Sequence, residues 1–257
     1  MIEIESITKI YNVGDVTENA VFRDFSLTVP DGEFVSVVGS NGSGKTTLLN
    51  LLCGSVLPQS GKIRIDGTDV TTLPEYKRYR NIGRVYQNPA LGSCATLTVM
   101  ENMALADKKG RKFGLGRGVN TARAAFYREK LATLGLGLED KTEVPVGALS
   151  GGQRQALTLL MAAMTPLRFL ILDEHTAALD PKTADVIMEL TDRIVKEANL
   201  TALMVTHNLR YAVEYGTRML MLHEGRIVLD RSGEEKKKTK VGDVLHIFNE
   251  IAVECGS

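Results

Sequence analysis

Two short segments carry residue types and spacings suited to phosphate chemistry. The first, Gly39-Ser40-Asn41-Gly42-Ser43-Gly44-Lys45-Thr46, is a glycine-rich turn followed by a lysine and two threonines, Thr46 and Thr47. A triphosphate brings several negative charges, and the backbone N–H groups of a glycine turn can neutralise them where side chains would clash. Lys45 is expected to reach the β- and γ-phosphates. The Thr46 hydroxyl is expected to ligate Mg²⁺, a hard cation that takes oxygen ligands, while Thr47 donates to a nearer phosphate oxygen. The second segment is Leu149-Ser150-Gly151-Gly152-Gln153. Glycine makes up only about 7% of average usage, so both patterns in one chain are a poor candidate for coincidence. Together they read as two halves of an ATP site.

Five further positions fit the same chemistry. Asp173 closes the apolar run Phe169 to Leu172, where a carboxylate can hold a second side of the Mg²⁺ shell. Glu174, next in the chain, is placed to polarise water for in-line attack and is expected to act as general base. His207, after Ala202 to Thr206, can donate to the γ-phosphate or hold water and base in place. Gln87 offers both an amide oxygen, for Mg²⁺ or water, and an NH₂ group, which suits a γ-phosphate sensor. Tyr11 lies in the N-terminal segment Ile7 to Tyr11 and provides a ring that can stack on adenine.

These residues need a scaffold, and the apolar patterning supplies one. Runs rich in Val, Ile and Leu at Phe34 to Val38, Ile63 to Ile65, Phe169 to Leu172, Ala202 to Val205, Met219 to Leu222 and Ile227 to Leu229 predict strands. Phe169 to Leu172 is apolar throughout, as in a parallel sheet covered on both faces. Helical patterns fall at Thr46 to Cys53, Val99 to Ala106, Arg123 to Leu134, Gln153 to Met164 and Thr183 to Glu197. The fold class is therefore α/β, a mainly parallel sheet flanked by helices around a phosphate loop.

Between Gln87 and Ser150 the strand signal fades and helical patterns dominate, which predicts an inserted helical subdomain. Within it, Lys108 to Gly118 is basic and glycine-rich and reads as a solvated surface loop. Lys236 to Lys240 also reads as a solvated charge run, half neutralised by Glu234 and Glu235. Leu245, Phe248, Ile251 and Ala252 predict one docking stripe on a short C-terminal helix.

The bulk composition sets bounds. The 257 residues are 44% hydrophobic, enough for a substantial core. Thirty-one basic and 31 acidic residues cancel, so no global field draws the chain to nucleic acid or to anionic lipid. The start Met1 to Glu5 lacks the basic and apolar regions of a signal peptide, and a cytoplasmic location is expected. Cys53, Cys94 and Cys255 form no C-x-x-C pair and read as reduced thiols.

With these motifs in this order, the chain resembles the nucleotide-binding subunit of an ATP-binding cassette (ABC) transporter from about Ile2 to Asp230. The resemblance implies a P-loop core with an N-terminal antiparallel β subdomain: core about 1–88 and 160–230, helical subdomain about 89–159, tail 231–257. Tyr11 then matches the adenine platform, Gln87 the glutamine loop, Leu149 to Gln153 the family signature and His207 the switch histidine. Asp180, in Ala178-Leu179-Asp180, matches the loop that crosses a dimer interface. The implied assembly is a homodimer in which Ser150, Gly151, Gly152 and Gln153 of one copy close over ATP held by the other. It is expected to dock on an integral membrane permease at the cytoplasmic face of a bacterial membrane, with an extracytoplasmic binding protein upstream and no role for nucleic acid. One departure is His175, where the family commonly has proline. Gln87 to Gly92 and Asp173 to Thr176 resemble an importer subgroup whose cargo includes aromatic amino acids, tryptophan especially. An export or lipoprotein-release ATPase shares the motif set and stays open. A DNA-acting cassette fits less well, because Lys45 and Ser150 are only 105 residues apart, from 45 to 150.

Overall fold

The computed structural model describes residues 1–109, 119, 121–164 and 167–254. In chain order the strands are β1 Ile2–Tyr11, β2 Asn19–Val29, β3 Phe34–Gly39, β4 Ser60–Ile65, β5 Thr68–Asp69, β6 Ile82–Val85, β7 Phe169–Asp173, β8 Thr201–Val205, β9 Arg218–His223 and β10 Arg226–Ser232. The α-helices are α1 Lys45–Cys53, α2 Glu75–Arg78, α3 Val99–Asp107, α4 Ala124–Ala132, α5 Gly151–Ala163, α6 Pro181–Glu197, α7 Leu209–Glu214, α8 Gly233–Lys238 and α9 Val241–Glu254. They fall into two compact units, residues 1–79 with 199–257, and residues 80–198. Residues 110–118 of the expected basic loop, and Cys255, lie outside the described residues.

In the first unit, β1 pairs antiparallel with both β2 and β4, in the order β2-β1-β4-β5. Ile2 and Ile4 alternate with Glu3 and Glu5 and are the buried side of that ribbon. β3 lies between β8 and β9, parallel to each, with β10 antiparallel outside β9. Every residue of β3 and of β8 is buried, which is what cover on both faces requires of an apolar run. The helix that leaves β3, α1, buries Leu48, Leu49, Leu51, Leu52 and Cys53. Its last turn has no basic residue. Arg78, 3% exposed, takes over by donating to Leu51 O at 2.6 Å and Leu52 O at 3.2 Å, placing a cation where the helix dipole is negative.

Two expectations are corrected in this unit. The stripe on α9 is Val244, Ile247, Phe248 and Ile251, packed on Val38, Ala212, Met219 and Met221, while Leu245 is 47% exposed. Spacing by three, four and seven from Val244 sets one face, and Leu245 stands a residue off it. The side chain of Ala252 lies outside the described set. The lysine run is not wholly solvated either. Lys236 is 4% exposed and donates to Val213 O at 2.6 Å and Tyr215 O at 2.8 Å, serving the carbonyls at the end of α7.

The second unit holds the parallel pair β6 and β7, with Ile82 opposite Phe169 and Val85 opposite Leu172. β6 is absent from the strands read off the sequence because Gly83 and Arg84 interrupt its apolar run. Helices α3, α4 and α5 of the expected helical insert lie in this unit, followed by β7 and α6. Reciprocal capping boxes start two of them, Thr98 with Glu101 for α3 and Ser150 with Gln153 for α5. α6 buries Ala184, Ile187, Met188, Thr191 and Val195, a helical spacing that fixes one long face.

Candidate functional site

The expected site residues form two sets, one in each unit. In the first unit β3 delivers the glycine turn. Gly39 has φ 154°, and a Cβ there would stand 2.2 Å from Leu222 O and 2.7 Å from Ser43 Oγ. Backbone oxygen cannot yield as a flexible side chain can, so only glycine fits. Gly39→Ala is expected to lose about 2–4 kcal/mol of stability, read as a lowered urea midpoint at unchanged m.

The turn ends at Gly44, the N-cap of α1, whose φ of 105° again favours glycine and which provides no side-chain cap. A helix start without a side-chain cap keeps its amides available to an anion. α3 and α5 differ in that a side-chain oxygen, of Thr98 or Ser150, accepts one of their first-turn amides. Lys45 is 6% exposed and its ammonium donates to Gly39 O and Ser40 O, each at 2.8 Å. Both acceptors are uncharged carbonyl oxygens, and these two bonds hold the ammonium in the turn. Thr46 is exposed on the first turn of α1 and Thr47 half-buried. Gly42 also lines a cavity of about 640 Å³ with Asn19, Ala20, Val21, His223 and Gly225. That is the size range of small-molecule sites, larger than a phosphate needs.

Tyr11 ends β1, half-buried, with the Lys9 ammonium 4.8 Å from its ring centroid. His207 is exposed, two residues beyond β8. Its neighbours hold that position: Asn208 N donates to Thr206 Oγ1 at 3.0 Å, and Asn208 Oδ1 accepts from Arg210 N at 3.0 Å to cap α7.

In the second unit, Gln87 is exposed two residues beyond β6. Gln155 Nε2 of α5 donates to Tyr86 O at 3.2 Å, anchoring the residue before it. Ser150 is exposed at the N-cap of α5, and its Oγ accepts from Gln153 N at 3.2 Å. The Gln153 side chain serves the same turn, with Oε1 accepting from Ser150 N and Lys141 Nζ and Nε2 donating to Leu136 O. Gly152 is where α6 comes close: a Cβ would meet Thr183 Cγ2 at 2.3 Å. Asp180 caps α6 by accepting from Thr183 N at 3.1 Å, and hydrogen bonds from the Thr183 hydroxyl and amide lower its pKa.

Asp173 ends β7, and its Oδ2 accepts from Arg84 Nη2 at 2.7 Å. Glu174 follows with φ 47°, a left-handed backbone that a residue with a long side chain adopts only when its surroundings impose it. His175 is 2% exposed, its Nε2 3.0 Å from Thr191 Oγ1 on α6. Sequence reasoning missed Arg84 and Thr191. A guanidinium two residues into a strand parallel to β7 was the available signal for Arg84, once β6 is recognised. Thr191 sits inside a helix and has no sequence signal.

Burial lowers the His175 pKa from 6.5 to about 4. Between those values the unfolded chain binds the proton and the folded chain does not, so stability is full above about pH 6.5 and falls as pH drops toward 4. At pH 5 the loss is about 2 kcal/mol relative to pH 7.5, at about 1.36 kcal/mol per unit. His175→Gln is expected to remove that slope in urea melts at the two pH values.

Set beside proteins already known, the chain matches the sequence profile described as ABC transporter over residues 22–177. It is 44% identical over 248 residues to a tyrosine transport ATP-binding protein of Clostridioides difficile strain R20291, covering 96% of this chain and 98% of the relative. It is 35% identical over 256 residues to a methionine import ATP-binding protein of Vibrio cholerae, covering 98% of this chain and 69% of the relative. Among solved structures, a dimeric ATP-binding cassette in a post-hydrolysis state bound to ADP and Pi superposes with a TM-score of 0.76 at 29% identity, over 90% of this chain and 98% of that one. Among the described residues no helix is long and apolar enough to cross a membrane.

Proposed function

The chain belongs to the ABC transporter family, and on that premise we propose that it powers import of a small solute, with an aromatic amino acid as the cargo class. It is an ATP hydrolase coupled to transmembrane transport. The observation that carries the cargo reading is the 44% identity, over nearly the whole of both chains, with a tyrosine transport subunit.

The working unit in this reading is a homodimer on the cytoplasmic face of a permease, fed by an extracytoplasmic binding protein. Tyr11 stacks on adenine, and the amides of Gly39 to Gly44 with Lys45 and Thr47 neutralise the phosphates. Thr46, Asp173 and Gln87 offer a hydroxyl, a carboxylate and an amide oxygen, an all-oxygen set that fits Mg²⁺. When bound, Mg²⁺ would supply Lewis-acid neutralisation of phosphate charge. Glu174 takes the proton of the attacking water, with His207 and Gln87 orienting water and γ-phosphate. Ser150, Gly151 and Gly152 of one copy meet ATP held by the other, where the N-terminus of α5 favours an anion, and Asp180 lies in the loop that crosses between copies. Loss of the bridging γ-phosphate then reopens the dimer, a population shift passed to the permease through the segment around Gln87.

The test is a pull-down from membranes with tagged Glu174→Gln chain and ATP, identifying co-purifying proteins by mass spectrometry. A permease with a binding lipoprotein is expected, and the pair reconstituted in proteoliposomes should accumulate labelled tyrosine or tryptophan. Co-purification of an export permease would overturn the import reading.

A further inference from the structure

We infer that His175 is a positioning residue for Glu174, its imidazole fastening the strained turn after β7 to the long helix α6 through Thr191. This rests on the reading of Glu174 as base. Hydrogen accounting fixes the direction of the bond. Thr191 Oγ1 donates to Ile187 O, one turn back on α6, at 2.7 Å. A hydroxyl has a single hydrogen, so toward His175 Nε2 at 3.0 Å it accepts, and the hydrogen between them is on Nε2. His175 is therefore a donor in its Nε2–H tautomer, held by a residue that is itself fully buried in α6.

The geometry around Glu174 explains what this fastening does. Its φ of 47° is a conformation the local chain would leave if free to do so. The residue before it, Asp173, is held by Arg84, and the residue after it, His175, by Thr191. The turn is closed on the far side by Ala177 N donating to Glu174 O at 2.9 Å. Anchors on both neighbours fix the backbone from which the Glu174 side chain departs. The bond couples the carboxylate to a rigid 17-residue helix instead of to a loop.

A side chain that merely filled space would tolerate loss of the hydroxyl opposite it. Thr191→Val keeps shape and removes the acceptor, so in the full chain kcat for ATP is expected to fall about ten-fold or more, while the Kd for ATP changes less than about two-fold, since small displacements of a catalytic group are costly. Thr191→Ser, which restores the hydroxyl, is expected to recover the rate. In the Glu174→Gln background Thr191→Val should add no further loss. Equal turnover by Thr191→Val and wild type, or a further loss without Glu174, would overturn the inference. If Glu174→Gln itself hydrolyses ATP at the wild-type rate, the assignment of the base fails instead. Should Thr191→Val not fold, His175→Gln, which keeps a donor, is compared with His175→Leu, which does not: a rate kept in the first and lost in the second supports the coupling, and equal rates reject it.

Discussion

Glu174→Gln is expected to bind ATP as tightly as wild type and to hydrolyse it about 10²–10⁴ times more slowly. Glutamine preserves the shape of glutamate, so the turn at φ 47° and its anchors through Asp173 and His175 have no reason to change. What disappears is the capacity to accept a proton from water. A loss confined to the chemical step leaves affinity intact and lets the ATP-bound dimer accumulate. Single-turnover hydrolysis and size-exclusion chromatography with ATP read the two consequences separately, and wild-type hydrolysis in the purified variant would show that another group is the base.

Lys45→Ala should have the opposite profile, losing nucleotide affinity first. Charge-assisted hydrogen bonds contribute about 1.5–3 kcal/mol each, so removing the ammonium proposed to serve two phosphates is expected to weaken ATP binding about 10²-fold or more. The structure adds a complication that the titration must separate. Lys45 is buried and bonded to Gly39 O and Ser40 O, so its removal also withdraws two donors from the loop. Circular dichroism melts on the same samples distinguish a folded chain that cannot hold ATP from a loosened one. Unchanged affinity in a folded variant would refute the role given to this lysine.

The phosphate loop and the Ser150 segment were legible because glycine at fixed spacing states a backbone requirement directly. Gly39 against Leu222 O and Gly152 against Thr183 show those requirements as distances. Strands such as β3, β7 and β8 were legible for a related reason, since burial on both faces leaves only apolar residues in the run. β6 was not, because Arg84 points its charge at Asp173 and breaks the pattern in serving that carboxylate. The interior position of Lys236 was equally hidden. A lysine among lysines looks solvated until the carbonyls of Val213 and Tyr215 are found beneath it. Side chains that act through tertiary partners leave no local periodicity to read.

Ser150 poses a problem for anyone who interprets an alanine scan. Its oxygen already accepts the amide hydrogen of Gln153, and acceptance occupies a lone pair while the hydroxyl hydrogen can still rotate outward. In the proposed contact with ATP, folding and ligand recognition would use opposite ends of one O–H group. Alanine deletes both at once, and the measured defect mixes a frayed helix with a missing donor. Glycine weakens capping by only a few tenths of a kcal/mol while also removing the donor. The glycine variant therefore reads chiefly what the hydroxyl does for a ligand, and the difference between alanine and glycine reads the cap.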